Sequence, residues 1–561
     1  MSPQMPTPEL IIPPQIPTKP LRKFEAIYQL KNTPQPVFRP GNSLKPLSTA
    51  VMYEEELTEE IRVELADHWG YCLYFGRLSK EVLLKMDNPV NSHGTVYRRV
   101  CELAKANPKK YPLHVIIDPR SSLSLNDNYK ILPDGKHRGQ TWNPGQTWTC
   151  DDQGEIILAV AYDKNGNPIP HDQQDWGGRI FSPEAPDTAF TMIADYEVSM
   201  LEEVLQRAPI AVLTNLGEYG TTALGNNRDK NNDFYWEKDP VIRKAKGHRE
   251  WWDYLSERKT HQEMIITNRL KLLLPDPTLY IYFYTEACPS RCYHPEGCTD
   301  CNDESCPCPV PNWMDFCWDY TYFHTTSDLP NTGDKLYWGE EAHWSGNSSL
   351  LTGALNATAQ QIAVADPDNG KKPYKSYNWM SAGWDSKMSD SVRYLGYLKC
   401  YYTAGMIGGV AGYYGIVHSM IDRWIWQLME LGQVHALFSH LDTFVQNSKL
   451  LEGPKKHCWS HDFSAYEFPT GQENVRVVVR KHRERLEWLL TAWAAAEWAA
   501  DIKEERQCEV EVPELGKVVL KARGTGAVYH AIIRDHQPFL TLIDECGEYP
   551  TRGMTAAYEL K

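Results

Sequence analysis

Short apolar or aromatic runs alternate with amphipathic helical stretches along most of the chain, and this alternation limits its fold more than any other feature. Apolar residues recur every three or four positions between the runs, as in residues 57–69 and 191–208. Successive strand–helix units of this kind build a parallel α/β sheet. Strands are predicted at residues 50–53, 71–75, 113–117, 210–214, 279–284, 320–324, 377–382 and 406–413. Eight such units favour a closed (β/α)8 TIM barrel over an open sheet.

The regions on either side of the predicted barrel differ from it in composition. The first region, 1–45, is rich in proline and predicts an extended arm. The barrel covers 46–435, with a long insert at 119–187 and a Cys-rich loop at 288–317, and a connecting region at 436–469 follows it. Strand-like runs separated by turns then predict a C-terminal all-β, sandwich-like domain over 470–561.

Charge and hydropathy exclude several kinds of partner. The formal net charge of −15 at pH 7 argues against a broad nucleic-acid surface, because binding to phosphates depends on clustered Lys and Arg. No apolar run approaches the ~20 residues that span a bilayer, so we expect a soluble protein without a membrane partner. The motifs of dinucleotide-binding folds, zinc proteases and serine esterases are absent. The sequence leaves the oligomeric state open.

The aromatic residues point to a carbohydrate partner. The chain has 19 Trp and 31 Tyr but only 14 Phe, so flat rings with a polar edge outnumber purely apolar ones. Sugar-binding clefts use such rings, which stack on the apolar face of a pyranose while polar groups bind its hydroxyls. Composition alone supports an aromatic-rich core equally well.

Several motifs resemble those of glycoside hydrolases. The C-terminal runs VRVVVRKH, TAWAA and PELGK resemble the β domain that follows the barrel in many of these enzymes. The ends of the predicted barrel strands, such as LTNLGEYG, are similar to those of clan-A-like retaining (β/α)8-barrel glycosidases, without indicating one family. The resemblance implies hydrolysis of glycosidic bonds in a poly- or oligosaccharide, and a sulfated marine galactan or fucan is one such substrate. The alternative is a non-catalytic carbohydrate-binding protein on a degenerate barrel.

Glu218 is the first candidate catalytic residue. It follows the apolar strand PIAVLTN, and residues just beyond the carboxyl end of a barrel strand project into the cleft. The resemblance implies that Glu218 is the general acid/base, with Asn215 and Tyr219 beside the substrate. In the glycosidases that it resembles an Asn stands directly before this Glu, whereas here Leu216 and Gly217 separate the two. The alternative is a glutamate exposed in a loop.

Glu286 is the candidate for the second carboxylate, because it ends the next strand, LYIYFYT. Glycoside cleavage needs two such groups, ~5 Å apart for retention and ~6.5–9.5 Å apart for inversion, and we expect retention. A salt bridge of Glu286 to a nearby arginine is an equal alternative. Other carboxylates compete for this role, Asp385 foremost, because the resemblance implies a nucleophile after the seventh strand; the others are Asp328, Glu340 and Glu341.

Further residues near the predicted strand ends are candidates for substrate binding. They are aromatic or polar, as sugar stacking and hydroxyl recognition require. They are Trp338, His343, Asn378, Trp379 and Trp384. A tryptophan at a strand end is as often part of the core as it is a sugar platform.

The Cys-rich loop directly after Glu286 requires cross-linking. It holds seven of the 14 cysteines, and the spacing of Cys288, Cys292, Cys298 and Cys301 could hold a structural Zn²⁺. Disulfides are slightly favoured over the metal, and the proposed reaction needs no cofactor. Residues 1–20 lack the pattern of a secretory signal. If a signal peptide has been removed, a secreted or periplasmic location is favoured, which also suits disulfides.

Overall fold

A computed structural model describes the chain in segments. The described residues are 23–41, 44, 46–50, 57–117, 148–150, 156–158, 184, 187–215, 240–249, 251–275, 278–286, 329–333, 379–381, 391–405, 410–412, 421–454, 466–472, 475–494 and 505–544. Helices and strands are interspersed as far as residue 450, and the elements described after it are all strands. The predicted mixed α/β content followed by an all-β region is therefore confirmed.

The helices and strands are numbered here in chain order. The helices are α1 (Lys23–Asn32), α2 (Glu59–His68), α3 (Lys80–Asp87), α4 (Ser92–Ala106), α5 (Asp187–Leu205), α6 (Pro240–Lys246), α7 (Trp251–Leu273), α8 (Ser391–Thr403) and α9 (Ile421–Gln446). The strands up to residue 450 are β1 (Ser48–Ala50), β2 (Leu73–Arg77), β3 (Leu113–Ile117), β4 (Trp148–Cys150), β5 (Ile156–Leu158), β6 (Ile210–Asn215), β7 (Leu279–Glu286), β8 (Leu329–Gly333), β9 (Trp379–Ser381), β10 (Val410–Gly412) and β11 (Ser448–Leu450). Those that follow are β12 (Val475–His482), β13 (Glu487–Ala494), β14 (Glu505–Val512), β15 (Gly516–Arg523), β16 (Ala527–Arg534) and β17 (Gln537–Asp544).

Eight strands form one parallel sheet in the order β1-β10-β9-β8-β7-β6-β3-β2. Each neighbouring pair is parallel. Directly before the first and last strands of this order, Leu47 forms a parallel bridge with Tyr71, and Cys72 N donates to Leu47 O over 2.7 Å. Hydrogen bonding thus continues from β2 back to β1.

Seven of the eight predicted strands overlap an observed strand of this sheet, and the sixth does not. The sixth strand of the sheet is β8, with the sequence LPNTG, whereas the prediction at 320–324 lies outside the described residues. A proline and a glycine within five residues oppose strand formation in isolation, so only pairing with β7 and β9 identifies this strand.

The sheet has two faces, which the two-residue period of its strands keeps apart. On the helix face, Leu73, Phe75, Val115 and Leu213 pack with residues of α3, α4, α5 and α7 in one buried cluster. The side chains that alternate with them, which define the inner face, are Tyr74, His114, Ile116, Val212 and Thr214. The run of apolar residues in β3 reflects burial on both faces.

Short polar side chains fix where the first helices begin. The hydroxyls of Thr58 and Ser79 accept hydrogen bonds from Ile61 N and Val82 N at the starts of α2 and α3. The side chain of Asn91 does the same at α4. Such caps satisfy amides that have no partner within the helix. No helix in the described segments is long and apolar enough to cross a membrane.

The N-terminal segment packs across α2 and α9. Its helix α1 contacts both, and the extended residues that follow bind α9: Gln433 Nε2 donates to Pro34 O, and Arg39 N donates to Ser439 Oγ. The ring of Phe38 lies against Gly70, where φ is +79° and a side chain would collide with the ring. The segment thus links the helix after β1 to the helix after β10.

The strands after residue 447 form a second sheet, in which β11, β12, β13, β15 and β14 follow one another and β16 joins β13 to β17. Alternate residues of β13 pack into two different hydrophobic clusters. Trp488 and Leu490 belong to a core shared with β14 and β15. Leu489 and Trp493 belong to the large cluster that includes α8 and α9. Both faces of β13 are therefore buried, and one of them docks onto the α/β unit.

Buried polar contacts fasten this docking face to α8. Lys399 Nζ lies 2.7 Å from Asp544 Oδ2 and donates to Gly526 O over 3.1 Å. The hydroxyls of Thr403 and Thr491 are hydrogen-bonded to each other. Close packing accompanies these contacts, since a Cβ at Gly396 would lie 2.2 Å from Trp493 Cδ1.

Candidate active site at the carboxyl ends of the parallel strands

The carboxyl ends of β2, β3, β6 and β7 lie at one edge of the parallel sheet, because all four strands run in the same direction. Their last residues are Arg77, Ile117, Asn215 and Glu286. Ligands of parallel α/β sheets bind at this edge, where loops and strand ends meet. A ligand site is therefore expected at this edge.

A bulge at the end of β2 brings Arg77 onto the inner face. Tyr74 pairs with His114, but Gly76 pairs with Val115 and Arg77 with Ile116, so β2 has one extra residue there. In an unbroken strand, position 77 would share the helix face with Leu73 and Phe75. Gly76 has a φ of +119°, which only glycine adopts readily. Arg77 is partly exposed.

A buried arginine holds this bulge. Arg62 of α2 is 2% exposed, and its Nη1 donates to the carbonyl oxygens of Tyr74 and Phe75, each over 2.6 Å. Its Nε donates to Leu57 O. The guanidinium also lies over the ring of Tyr74, 5.2 Å from its centroid, and over that of Tyr97. These contacts fix the two carbonyls that directly precede Gly76.

A second bulge has the same effect at the end of β7. Tyr282 pairs with Pro330 of β8, but Thr285 pairs with Thr332, so β7 advances three residues where β8 advances two. Position 280 is on the helix face, and in an unbroken strand position 286 would share that face. The extra residue transfers position 286 to the inner face, in register with Gly333.

Trp379 occupies the same row of the sheet. It begins β9, but it pairs with Gly333, the last residue of β8 and the partner of Glu286. Positions 286 and 379 are therefore both on the inner face, two strands or about 10 Å apart. Of the residues that the sequence predicts for the site, the structure brings these two to a common level.

Asn215 is on the other face. It is buried, and its Nδ2 donates to Tyr280 Oη over 2.8 Å. The same hydroxyl is 3.1 Å from Thr267 Oγ1 of α7. The amide of Asn215 therefore links the end of β6 to the helix layer, and it holds the strand end in place.

A polar pair on the inner face is a feature that sequence analysis does not reveal. His114 Nε2 lies 2.9 Å from Thr214 Oγ1, and both residues are buried. The imidazole packs on Tyr74, with ring centroids 5.8 Å apart. The only signal in the sequence is a histidine within the apolar run LHVII. The pair forms a polar floor beneath the carboxyl ends of β2, β3 and β6.

The remaining predicted residues lie outside the described residues, so their predicted roles are untested. They are Glu218, Tyr219, Asp328, Trp338, Glu340, Glu341, His343, Asn378, Trp384, Asp385, Cys288, Cys292, Cys298 and Cys301. In the chain, Asp328 comes directly before β8, whereas the predicted position of the sixth strand would make it follow that strand. Among the residues that are described, no group of three or more His, Cys, Asp and Glu is placed to hold a metal ion.

Four cysteines whose side chains the structure describes are buried free thiols, namely Cys72, Cys101, Cys400 and Cys508. Burial raises the pKa of Cys72 and of Cys101 to about 12, and that of Cys508 to about 11. A thiol is nucleophilic only as the thiolate, so these four side chains are chemically inert near neutral pH.

Comparison with known proteins gives distant structural likenesses only. No protein-family model matches the chain, and no curated protein matches it in sequence. Among solved structures, an endoxylanase from Clostridium papyrosolvens is 8% identical with a TM-score of 0.33, covering 88% of this chain and 98% of the endoxylanase. An alpha-galactosidase from Mortierella vinacea is 9% identical with a TM-score of 0.31, covering 92% and 100% of the two chains.

An alpha-galactosidase from Geobacillus stearothermophilus is 11% identical with a TM-score of 0.33, covering 90% of this chain and 56% of its own. The names of all three describe enzymes that act on carbohydrates. TM-scores this low do not establish a shared fold, so the function proposed below depends on the residues of this chain.

Proposed function

We propose that the protein hydrolyses glycosidic bonds in a poly- or oligosaccharide, with Glu218 and Glu286 as the catalytic carboxylates. The observation that carries this proposal is that Glu286 is the last residue of β7, at the carboxyl edge of the parallel sheet and on its inner face. A bulge creates this placement, and bulges next to active sites commonly redirect a functional side chain.

The proposed scaffold is a (β/α)8 barrel. Eight parallel strands in sequence order, with a bridge and a hydrogen bond from Tyr71 and Cys72 back to Leu47, support closure of the sheet. In such a barrel the inner face is the interior, and the carboxyl edge is the mouth that binds substrate. Arg77, Glu286 and Trp379 are at inner-face positions near this mouth.

The register of β6 and β7 supports the pairing of the two carboxylates. Asn215 pairs with Tyr282. Glu218 follows Asn215 by three residues, and Glu286 follows Tyr282 by four, one of which is the extra residue of the bulge. When the extra residue is left out of the count, Glu218 and Glu286 each lie three residues beyond the Asn215–Tyr282 pair, if the chain continues in line after Asn215. Adjacent strands are about 4.8 Å apart, close to the ~5 Å separation of retaining enzymes.

In the proposed reaction, Glu218 protonates the leaving glycosidic oxygen while Glu286 attacks the anomeric carbon and forms a covalent glycosyl–enzyme ester. Glu218 then removes a proton from water, which attacks the same carbon and releases Glu286. Two inversions at one carbon retain its configuration. Trp379, about two strands away from Glu286, provides a ring on which a neighbouring sugar can stack.

The rival carboxylates differ in how well the strand positions support them. Asp385 follows Ser381, the last residue of β9, by four residues, which resembles the spacing of Glu218 from β6. It is therefore the first alternative for the nucleophile. Glu340 and Glu341 follow β8 at a greater distance, and Asp328 precedes β8, so we assign none of these three a catalytic role.

The substrate is proposed to be a glycan bound by aromatic and polar residues near the strand ends. Sulfated marine galactans and fucans are included among the candidates. The proposed contacts, besides Trp379, are Tyr219, Trp338, His343, Asn378 and Trp384.

The test is product release from a panel of plant and marine polysaccharides, with the anomeric configuration of the product followed by NMR. We expect Glu218→Gln and Glu286→Gln each to lower kcat at least about 100-fold, because each removes a group that takes part in bond cleavage. Glu102→Gln, on the exposed surface of α4, is the matched control and should keep full activity.

The other outcomes reassign the roles. Full activity of Glu286→Gln together with an inactive Asp385→Asn variant would give the nucleophile role to Asp385. A product of inverted configuration would contradict the retaining mechanism. A wild-type protein that binds glycans without turnover would contradict hydrolysis and favour a binding protein.

A further inference from the structure

We infer that Arg77 is a specificity-determining residue that binds an anionic substituent of the glycan, either a sulfate ester or a uronic acid carboxylate. This inference rests on the proposed function, in that the carboxyl edge of the sheet is taken as the substrate site. Its evidence is separate from that for the catalytic carboxylates, since it comes from β2 and the helix that supports it.

The backbone of β2 is arranged to present Arg77 at this edge. Without the extra residue before Gly76, position 77 would be on the helix face, which is an apolar layer. With it, Arg77 is in register with Ile116 on the inner face and remains partly exposed. The positive φ of Gly76 makes this arrangement dependent on glycine.

A buried cation supports this arrangement. Arg62 is 2% exposed although its guanidinium is charged, and such burial is unfavourable unless the donors are satisfied. It donates two hydrogen bonds to the carbonyl oxygens of Tyr74 and Phe75, the two residues that directly precede Gly76. The backbone that leads to Arg77 is thus held by a buried group.

The surroundings of Arg77 suit a charged ligand. In the described parts of β2, β3 and β6, the inner-face side chains are Tyr74, His114, Ile116, Val212 and Thr214, together with Arg77. Arg77 contributes a guanidinium to this set. A guanidinium keeps its charge at all ordinary pH values and forms two parallel hydrogen bonds with a carboxylate or sulfate group.

The sheet order separates Arg77 from the proposed reaction centre. β2 is three strands from β7, with β3 and β6 between them, which corresponds to about 14 Å. Arg77 would therefore bind a substituent away from the carbon that Glu286 attacks. Its loss should change which glycan is bound without changing the chemical step.

The experiment measures binding, so that it does not depend on turnover. Two matched pairs of oligosaccharides serve as probes in calorimetry: carrageenan oligosaccharides with their desulfated forms, and oligogalacturonates with their carboxyl-reduced forms. Each is titrated into the full-length protein, with Glu286→Gln in the background to prevent cleavage. The pair whose charged form binds more tightly than its neutral form when Arg77 is present shows whether Arg77 recognises a sulfate or a carboxylate.

We expect the charged form of one pair to bind at least 10-fold more tightly than its neutral form. Arg77→Gln should remove this preference by weakening only the charged form, and Arg77→Lys should retain part of it, because an ammonium keeps the charge and loses the paired geometry. Gly76→Ala should also reduce the preference although Arg77 is still present. Arg534→Gln, on the exposed end of β16, is the control and should leave binding unchanged.

The inference is overturned if wild type binds charged and neutral forms equally, if it binds none of the four probes, or if Arg77→Gln weakens both members of a pair alike. A preference that depends on Arg77 in a protein without hydrolytic activity would uphold the inference and reject the proposed function. Hydrolysis together with a preference that Arg77→Gln leaves unchanged would uphold the proposed function and reject the inference. A matching circular dichroism spectrum and Tm for each variant exclude misfolding as the cause.

Discussion

Arg62 and Lys399 are both 2% exposed, but the α/β unit and the docking face of the C-terminal strands hold these cations differently. Arg62 donates to main-chain carbonyls of β2 and lies over two tyrosine rings. Lys399 instead lies 2.7 Å from the carboxylate of Asp544, which is far from it in the sequence. One cation fixes a local irregularity in a strand, and the other joins two regular elements.

The difference teaches that the two sites need different properties of a cation. The contacts of Arg62 require a planar group with several donors, so its shape matters as well as its charge. The contact of Lys399 requires a charge opposite a buried carboxylate, because an ion left alone in the interior is strongly unfavourable. Substitutions that change only the charge or only the shape of the cation should therefore affect the two sites differently.

The largest effect is expected for Lys399→Met. This variant leaves Asp544 buried without its cation, which should lower the free energy of unfolding by about 3–5 kcal/mol in urea titrations. The double variant Lys399→Met/Asp544→Leu should recover most of that loss, because no unpaired charge remains. A loss below about 1 kcal/mol in the single variant, as for a surface pair, would break the comparison.

A buried histidine adds a test of how a titratable group behaves in the same interior. Burial lowers the pKa of His435 on α9 to about 4, whereas the unfolded chain has a value near 6.5. Between these values the unfolded state binds a proton that the folded state does not. Stability should therefore fall as the pH falls from about 6.5 to about 4, by about 3 kcal/mol in total.

The measurement is the free energy of unfolding from urea titrations across this pH range. His435→Gln removes the titrating group and should flatten the dependence on pH. A smaller slope should remain, because burial also lowers the pKa of His482 and of His530. An unchanged slope in the variant would show that His435 titrates normally in the folded protein.

Arg62→Lys tests the importance of shape. The ammonium keeps the charge, but a single nitrogen cannot reproduce the contacts with Leu57, Tyr74 and Phe75. We expect a loss of about 2–3 kcal/mol in the free energy of unfolding, because buried carbonyls are left without donors. Arg99→Lys, at a half-exposed ion pair on α4, should cost less than about 0.5 kcal/mol. Equal losses in the two variants would remove the distinction between the sites.

Gly396→Ala separates packing from charge at the docking face. The added Cβ would lie 2.2 Å from Trp493 Cδ1 and 2.8 Å from Gly524 O, so the indole or the strand must shift. The expected cost is about 1–2 kcal/mol, measured as a lower Tm. Gly247→Ala is the control, because its surroundings are open although its φ is +59°. A loss in the control would come from that positive φ, which Gly396 does not have, and a Gly396→Ala variant as stable as the wild type would contradict the packing argument.

The sequence predicts those parts of the fold that depend on local composition. The strands LHVII and IAVLTN are apolar runs bounded by turns, and the pattern identifies both. The C-terminal strands β12 and β13 are recognised for the same reason. The strand LPNTG has no such local signal, because it is held by its neighbours in the sheet.

The face on which a strand-end residue lies cannot be predicted from its own strand. Glu286 and Tyr280 are six residues apart, so the period of two would give them the same face, and only the extra residue relative to β8 separates them. The same holds for Arg77 and Leu73 in β2. Asn215 shows the converse, since it stands at a strand end and is directed into the helix layer. Register with the neighbouring strand decides the face of Arg77 and Glu286, whereas the period of two from Leu213 gives that of Asn215.

The buried free thiols give the molecule built-in reporters of stepwise opening. Cys72 and Cys400 belong to the cluster that includes α8 and α9, Cys101 to the helix-face cluster and Cys508 to the C-terminal core, so they report on three packed layers. Because each thiol is shielded in the native state, an alkylating reagent can reach it only when that layer opens. Peptide-resolved alkylation rates would therefore rank the layers by local stability, and would reveal whether the C-terminal strands separate from α8 before the parallel sheet unfolds.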